Sequence, residues 1–262
     1  MNIKTYLISG AGNTFHVVYD KDENYSSEKW NVDKKKKLVR LACETNKADG
    51  FIFLEKEASD EQAYKWHFYN NDGSDAEMCG NATRCVGFYI KNILKSKKTD
   101  WVLATIAGAI KIQFIENETF KITMTPPIIL TSSFGFFCDT GVPHLVLNVD
   151  QIKTDEETKL YSRKLREHFE FKPRGTNVTY VADNGGLTKL KAVSYERGIE
   201  DFTAACGTGA MAAAFYNLTK RGVKQTLVEM PGGSLIMDLN DLTKPNMTGP
   251  AVLLGSFEYD IA

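Results

Sequence analysis

The stretch Gly207 to Tyr216 carries no charged residue, in a 262-residue chain that is 25% Asp, Glu, Lys and Arg. Val86 to Ile90 is likewise apolar apart from one tyrosine hydroxyl. A helix that is apolar all round has to be enclosed on every side, and in a strand-rich chain the enclosing layer is sheet. Each stretch is led by a cysteine, a glycine and a small polar residue: Cys79-Gly80-Asn81 and Cys206-Gly207-Thr208. Phe-Tyr follows each cysteine at the same distance, as Phe88-Tyr89 and Phe215-Tyr216, and the two cysteines lie about half the chain length apart. This repetition predicts an α+β protein of two pseudo-symmetric domains, each with one central α-helix beginning at the domain interface, where ligands often bind.

Periodicity and turn residues fill in the elements. Strands are expected at 2–9, 15–20, 51–55, 64–70, 101–106, 109–116 and 119–124, with helices at 33–44, capped by Asp33, and at 80–95. Pro126-Pro127 marks the crossover to the second half. There, strands are expected at 144–149, 177–183, 188–195, 225–230, 234–239 and 251–258, with helices at 156–168 and 207–221 and a loop at 197–201.

The position of the two cysteines carries the chemistry. The first N–H groups of a helix lack internal partners and the macrodipole adds partial positive charge there. A cysteine at that point has its thiolate favoured, and the same N–H groups can hold a carboxylate. Gly80 and Gly207 permit close backbone approach, while Asn81 and Thr208 add side-chain hydrogen bonds. Cys43, Cys85 and Cys138 lack this context and read as buried core thiols.

Composition narrows the partners. A net charge of −1 and a pI near 6.5 give no reason to expect nucleic acid or an anionic membrane. The lysine runs Lys34 to Lys37 and Lys95 to Lys98 read as solvated helix faces or ends. No apolar stretch approaches the ~20 residues of a membrane span, and Met1 to Tyr6 lacks a signal-like apolar run, so a cytoplasmic location is expected. The odd set of five cysteines has no metal-ligand spacing, which points to free thiols and no metal.

The chain resembles the diaminopimelate epimerase family. The matching segments are GAGNTF (10–15), NNDGSDAEMCGNATRC (70–85), GVPH (141–144), RGTNV (174–178), YERG (195–198), ACGTGA (205–210) and PGG (231–233). The resemblance implies two domains, each a mixed β-sheet wrapped around its central helix, with the last strand returning to the first domain. Residues 1–125 plus 250–262 would then form the domain carrying Cys79, 126–249 the domain carrying Cys206, and the active site would occupy the cleft between them.

The resemblance also implies an isomerase that interconverts LL- and meso-2,6-diaminopimelate, in lysine and peptidoglycan precursor synthesis, without PLP or another cofactor. One of Cys79 and Cys206 removes the α-proton as thiolate, and the other returns one to the opposite face as thiol. His144 and Glu196 match residues that tune the thiols. The substrate contacts fall on Asn13, Asn70, Gly80, Asn81, Asn177, Glu196, Arg197, Gly207 and Thr208, with Arg197 on the distal carboxylate and Glu196 on the distal ammonium. A homodimer is implied as well.

At two positions the chain departs from the family's pattern. Val142 stands where many members have asparagine before Pro-His, and Gly50 where some have glutamine. Both concern substrate contact, so a racemase or epimerase of another amino acid, such as histidine or lanthionine, is an open alternative. A non-catalytic thiol or metal-binding protein using Cys79, Cys206 and His144 is a more distant one.

Overall fold

The structure, a computed structural model, describes residues 2–20, 32–57, 60, 62–76, 78–106 and 108–260. In chain order the first strands are β1 (Asn2–Gly10), β2 (Asn13–Tyr19), β3 (Gly50–Lys56), β4 (Ala63–Asn70), β5 (Asp100–Thr105), β6 (Gly108–Glu116) and β7 (Thr119–Thr123). There follow β8 (Ile128–Leu130), β9 (Phe136–Asp139), β10 (Pro143–Asn148), β11 (Asn177–Asp183), β12 (Lys189–Glu196) and β13 (Asp201–Thr203). The chain closes with β14 (Gln225–Met230), β15 (Gly233–Asp238), β16 (Asn246–Pro250) and β17 (Val252–Asp260). The α-helices are α1 (Val32–Asn46), α2 (Gly80–Phe88), α3 (Glu156–Arg166) and α4 (Gly207–Arg221). Two compact units result: Met1–Ile122 with Gly249–Ala262, and Thr123–Thr248.

The first unit has the strand order β17-β1-β2-β3-β4-β5-β6-β7. The second has β8-β9-β10-β11-β12-β14-β15-β16, with the short β13 paired to the end of β12. Along either order the neighbours run antiparallel, antiparallel, parallel, antiparallel, parallel, antiparallel, antiparallel. A parallel pair needs a long crossover, usually helical, and each parallel pair in these two orders is joined through a helix. α1 joins β2 to β3 and α2 joins β4 to β5; α3 joins β10 to β11 and α4 joins β12 to β14. The duplication read from two short motifs thus extends to the whole pairing scheme.

Each sheet curls around its helix. α2 touches β1 and β2 and also β6, although three strands separate β2 from β6 in the sheet order. Every residue of α2 is buried, including Gly80 at its start. α4 packs against β9, β10, β11, β12, β14 and β15, and its stretch from Gly209 to Phe215 is buried throughout. α1 packs on β3 and β4, with Leu38, Val39, Ala42 and Cys43 meeting Phe51, Phe53 and Tyr69. Ile52 and Leu54 alternate with those phenylalanines and are fully buried too, so β3 is covered on both faces.

Some expectations need correction. Asp33 lies in the first turn of α1 rather than ahead of it, and the residue preceding Val32 falls outside the described residues. Lys35 is not solvated: it is buried, with its ammonium 5.1 Å from the Phe53 ring centre, and burial depresses its pKa against the pull of Glu55 and Asp20. The expected helix at 80–95 stays α-helical only to Phe88, then widens over Tyr89–Ile93, where the Leu94 N–H reaches back to the Tyr89 carbonyl. β8, β9, β13 and β16 were not anticipated. β16 contains Asn246, Gly249 and Pro250, all poor strand formers, and is held as strand by its pairing with β15.

Gly87 shows how closely the first sheet encloses α2. A β-carbon there would fall 2.8 Å from both Ile112 Cγ2 and Phe120 Cδ1. Helix propensity alone favours alanine over glycine by about 1 kcal/mol. Overpacking opposes it, so Gly87→Ala should lower the stability of the protein by about 1–3 kcal/mol. Chemical denaturation followed by far-UV circular dichroism measures this, and a stabilised variant would show that the sheet can yield.

Candidate active site

Both cysteines of the repeated motif sit at the N-cap of their helix in extended backbone conformation. Cys79 has φ −145° and ψ 121° ahead of α2; Cys206 has φ −141° and ψ 102° ahead of α4. The Thr83 N–H donates to the Cys79 carbonyl and the Ala210 N–H to the Cys206 carbonyl, both at 2.9 Å. The leading N–H groups, those of Gly80, Asn81 and Ala82 in one unit and Gly207, Thr208 and Gly209 in the other, have no partner within their helix.

In the second unit the register of three strands assembles a polar network beneath Cys206. His144 pairs with Asn177 across β10 and β11, and Thr179 pairs with Ser194 across β11 and β12. Asn177 accepts a 2.9 Å bond from the Arg197 backbone N–H on its Oδ1, which turns its amide nitrogen toward His144 Nε2 at 3.4 Å. An amide nitrogen only donates, so this ring nitrogen is the acceptor and the proton sits on Nδ1. Nδ1 then donates to Thr179 Oγ1 at 2.8 Å, and Thr179 passes a bond to Ser194 Oγ at 2.9 Å. The Thr208 hydroxyl lies 3.0 Å from Nε2 and 3.4 Å from Cys206 Sγ, while Ser194 also bonds the sulfur. The circuit closes on itself: Cys206, Thr208, His144, Thr179, Ser194 and back to Cys206.

Burial makes this network neutral. His144 is fully buried and its pKa is pushed down to about 3, so the imidazole is uncharged at neutral pH. Burial is also the largest influence on Cys206, raising its pKa, and the carboxylate of Glu196 raises it further. Bonds from Thr208, the Gly209 N–H and Ser194 pull the other way without prevailing. The expectation that a helix N-terminus favours the thiolate therefore does not hold for Cys206, where desolvation outweighs it.

Glu196 and Arg197 stand where β12 turns into β13. Glu196 accepts a short bond from the Thr203 hydroxyl and pairs with Asp201 across the hairpin. Arg197 is exposed at the turn, with its guanidinium donating to the Arg174 carbonyl. The expected loop at 197–201 is thus a tight hairpin turn, and the hairpin sets Thr203 opposite Ser194. Gly209 allows the closest approach in this unit, since a β-carbon there would lie 2.2 Å from Ser194 Oγ and 3.3 Å from Cys206 Sγ.

The first unit brings Asn13 and Asn81 together: Asn81 Nδ2 donates to Asn13 Oδ1 at 2.7 Å. Cys79, two residues before Asn81, is partly exposed, and Gly80 opens α2 in a buried position. Asn70 is engaged elsewhere, its amide donating to Ser74 Oγ at 3.0 Å. Gly50 pairs with Asn70 and admits no side chain, because a β-carbon would meet the Tyr69 carbonyl at 2.6 Å and Phe68 Cε2 at 2.9 Å. Val142 is half-buried in a turn whose Thr140 N–H donates to the Val142 carbonyl at 3.1 Å.

Sequence reasoning missed Thr179, Ser194 and Thr203, which resemble ordinary strand residues, and Arg84, whose charge lies within the buried helix α2. Among the described residues no helix is long and apolar enough to cross a membrane. Among the described residues no disulfide joins any of the five cysteines. Because Cys206 is only 5% exposed while Cys79 is partly open, iodoacetamide at pH 7.5 should label Cys79 faster, by roughly tenfold or more. Peptide mapping by mass spectrometry measures the ratio, and equal rates would contradict the burial of Cys206.

Comparison with known proteins places this geometry. A family model described as diaminopimelate epimerase matches residues 5–130 and 136–254. The diaminopimelate epimerase of Aquifex aeolicus (strain VF5) is 38% identical over 264 residues, covering 93% of this chain and 93% of its own. That of Hydrogenobaculum sp. (strain Y04AAS1) is 33% identical, covering 96% of this chain and 97% of its own. Among solved structures, a Bacillus anthracis protein of the PhzF family superposes with a TM-score of 0.77 at 11% identity over both whole chains, a likeness of fold alone.

Proposed function

The chain belongs to the diaminopimelate epimerase family, and on that premise we propose that it interconverts LL- and meso-2,6-diaminopimelate by moving one α-proton between two cysteines. The observation that carries this reading is the matched pair of cysteine N-caps, with the same backbone conformation at Cys79 and Cys206. A proton on a carbon beside a carboxylate is very weakly acidic, so its removal needs the developing negative charge to be stabilised. Helix N–H groups at Gly80, Asn81, Gly207 and Thr208 are fixed dipoles suited to that task. Exclusion of water by the bound substrate strengthens them.

In this reading Cys206 rests as the thiol, as its raised pKa supports, and Cys79 is the thiolate that takes the α-proton. Cys206 then delivers its proton to the opposite face of the carbon, and the roles exchange in the reverse direction. The hydroxyl and imidazole circuit supports Cys206 in both states. When the sulfur is protonated it donates to Thr208; when it is ionised, Ser194, Thr208 and the Gly209 N–H can all donate to it. His144 acts here as a neutral acceptor and donor, and Glu196 opposes ionisation of the neighbouring thiol.

Arg197 holds the distal carboxylate of the substrate bidentately, and Glu196 accepts from the distal ammonium. Asn13, Asn70 and Asn177 supply further polar contacts. The reaction proceeds without PLP or a metal, and the protein works as a cytoplasmic homodimer; these finer points rest on family membership.

Two measurements test the reading. Incubation in D₂O with LL-diaminopimelate, L-histidine and L-lanthionine separately, read by NMR, should introduce α-deuterium only into diaminopimelate. Exchange only in histidine or lanthionine would move the substrate and keep the two-thiol chemistry. Cys79→Ser and Cys206→Ser should each lower turnover by about 10²–10⁴-fold with an unchanged circular dichroism spectrum. Substantial epimerisation by either variant would remove that cysteine from the mechanism.

A further inference from the structure

We propose that Arg84 is a positioning residue that sets the donor direction of Asn81 and, through it, of Asn13. The inference rests on the reading of these two asparagines as contacts to a substrate carboxylate.

Arg84 is the one charged residue of α2, and it is fully buried. Its guanidinium donates to Asn81 Oδ1 at 2.9 Å, to the Gly10 carbonyl at 3.0 Å and to the Pro250 carbonyl at 3.3 Å. These three acceptors are neutral. Taking a cation out of water is expensive unless a site makes specific use of its donors.

The use follows from polarity. A guanidinium has donors and no acceptor, so Asn81 has to turn its amide oxygen toward Arg84. The Asn81 amide nitrogen is then committed to the other side, where it donates to Asn13 Oδ1 at 2.7 Å. Asn13, with its oxygen turned toward Asn81, presents its N–H groups on the opposite side. One buried cation therefore propagates a single direction through two amides. Oxygen and nitrogen of an amide are nearly the same size, and only the hydrogen-bond network decides which way each points. Without Arg84 either amide can turn over, and an oxygen facing a carboxylate repels it.

The backbone around Arg84 is built to the same end. Its bond to the Gly10 carbonyl ties the end of β1 to α2, and a β-carbon at Gly10 would fall 2.6 Å from the Asn81 carbonyl. The turn that leads into Asn13 is thereby pressed against the start of the helix.

The experiment measures kcat and KM for LL-diaminopimelate with Arg84→Lys, Arg84→Gln and Arg84→Met, each also in the Asn13→Ala background. Arg84→Met keeps volume without a donor and should raise KM roughly tenfold or more, with a smaller change in kcat. Arg84→Gln keeps one donor for Asn81 and should recover part of that loss, a rescue that a purely structural role would not give. In the Asn13→Ala background the KM effect of each Arg84 variant should shrink to within about twofold, since residues acting through one another are not additive. Unchanged KM in all three variants, or effects of Arg84 and Asn13 that simply multiply, would overturn the inference.

The wild-type protein supplies an arm that does not depend on how well the variants fold. Its Asn13 side-chain amide NMR signal should move when substrate is added, and a stationary signal would count against the inference. Failure of the wild type to epimerise LL-diaminopimelate would instead sink the substrate assignment. Normal wild-type turnover with indifferent Arg84 variants would sink this inference alone.

Discussion

A helix enclosed along its sides has unpaired backbone groups only at its ends. In α2 and α4 the sides are enclosed by sheet, and the first N–H groups are left without intrahelical partners. A buried donor without a partner costs about 1–3 kcal/mol, so this end of each helix demands an acceptor. The sequence supplies sulfur and side-chain oxygens there, and the ligand of an amino-acid epimerase supplies a carboxylate. Enclosure of the helix and concentration of chemistry at its start are one constraint seen from two sides.

The two units answer that demand with different electrostatics. Within α2 lies a buried cation, Arg84, whose bonds run through two amides. Beside α4 there is a closed ring of hydroxyls around an imidazole that burial keeps uncharged. The carboxylate of Glu196 adds to the burial of Cys206 in disfavouring its thiolate. Equal backbones therefore carry unequal sulfurs.

Much of this was legible in the sequence, for stated reasons. The helix at 207–221 and the strand at 177–183 stand where the charge gap and the alternating pattern put them. The cysteines announced themselves by repetition. What stayed hidden depends on register. Thr179 and Ser194 look like ordinary β-formers, and only the pairing of β11 with β12 shows that they touch each other and close a ring on Cys206. Arg84 was hidden differently, because a charge so close to a cysteine motif suggests a surface, and only the burial of all of α2 makes it a buried donor. The widened turn at Tyr89–Ile93 left no sequence mark that distinguishes it from the helix it continues.

The position three residues after each cysteine differs between the halves. In the first unit it is Ala82; in the second it is Gly209. Alanine is comfortable in the first, fully buried, yet the Ser194 hydroxyl now occupies the space a methyl group at 209 would need. With that hydroxyl against Cys206, the second half cannot carry at 209 the alanine that the first half carries at 82. A single missing methyl group thus keeps the two repeated segments from being interchangeable parts.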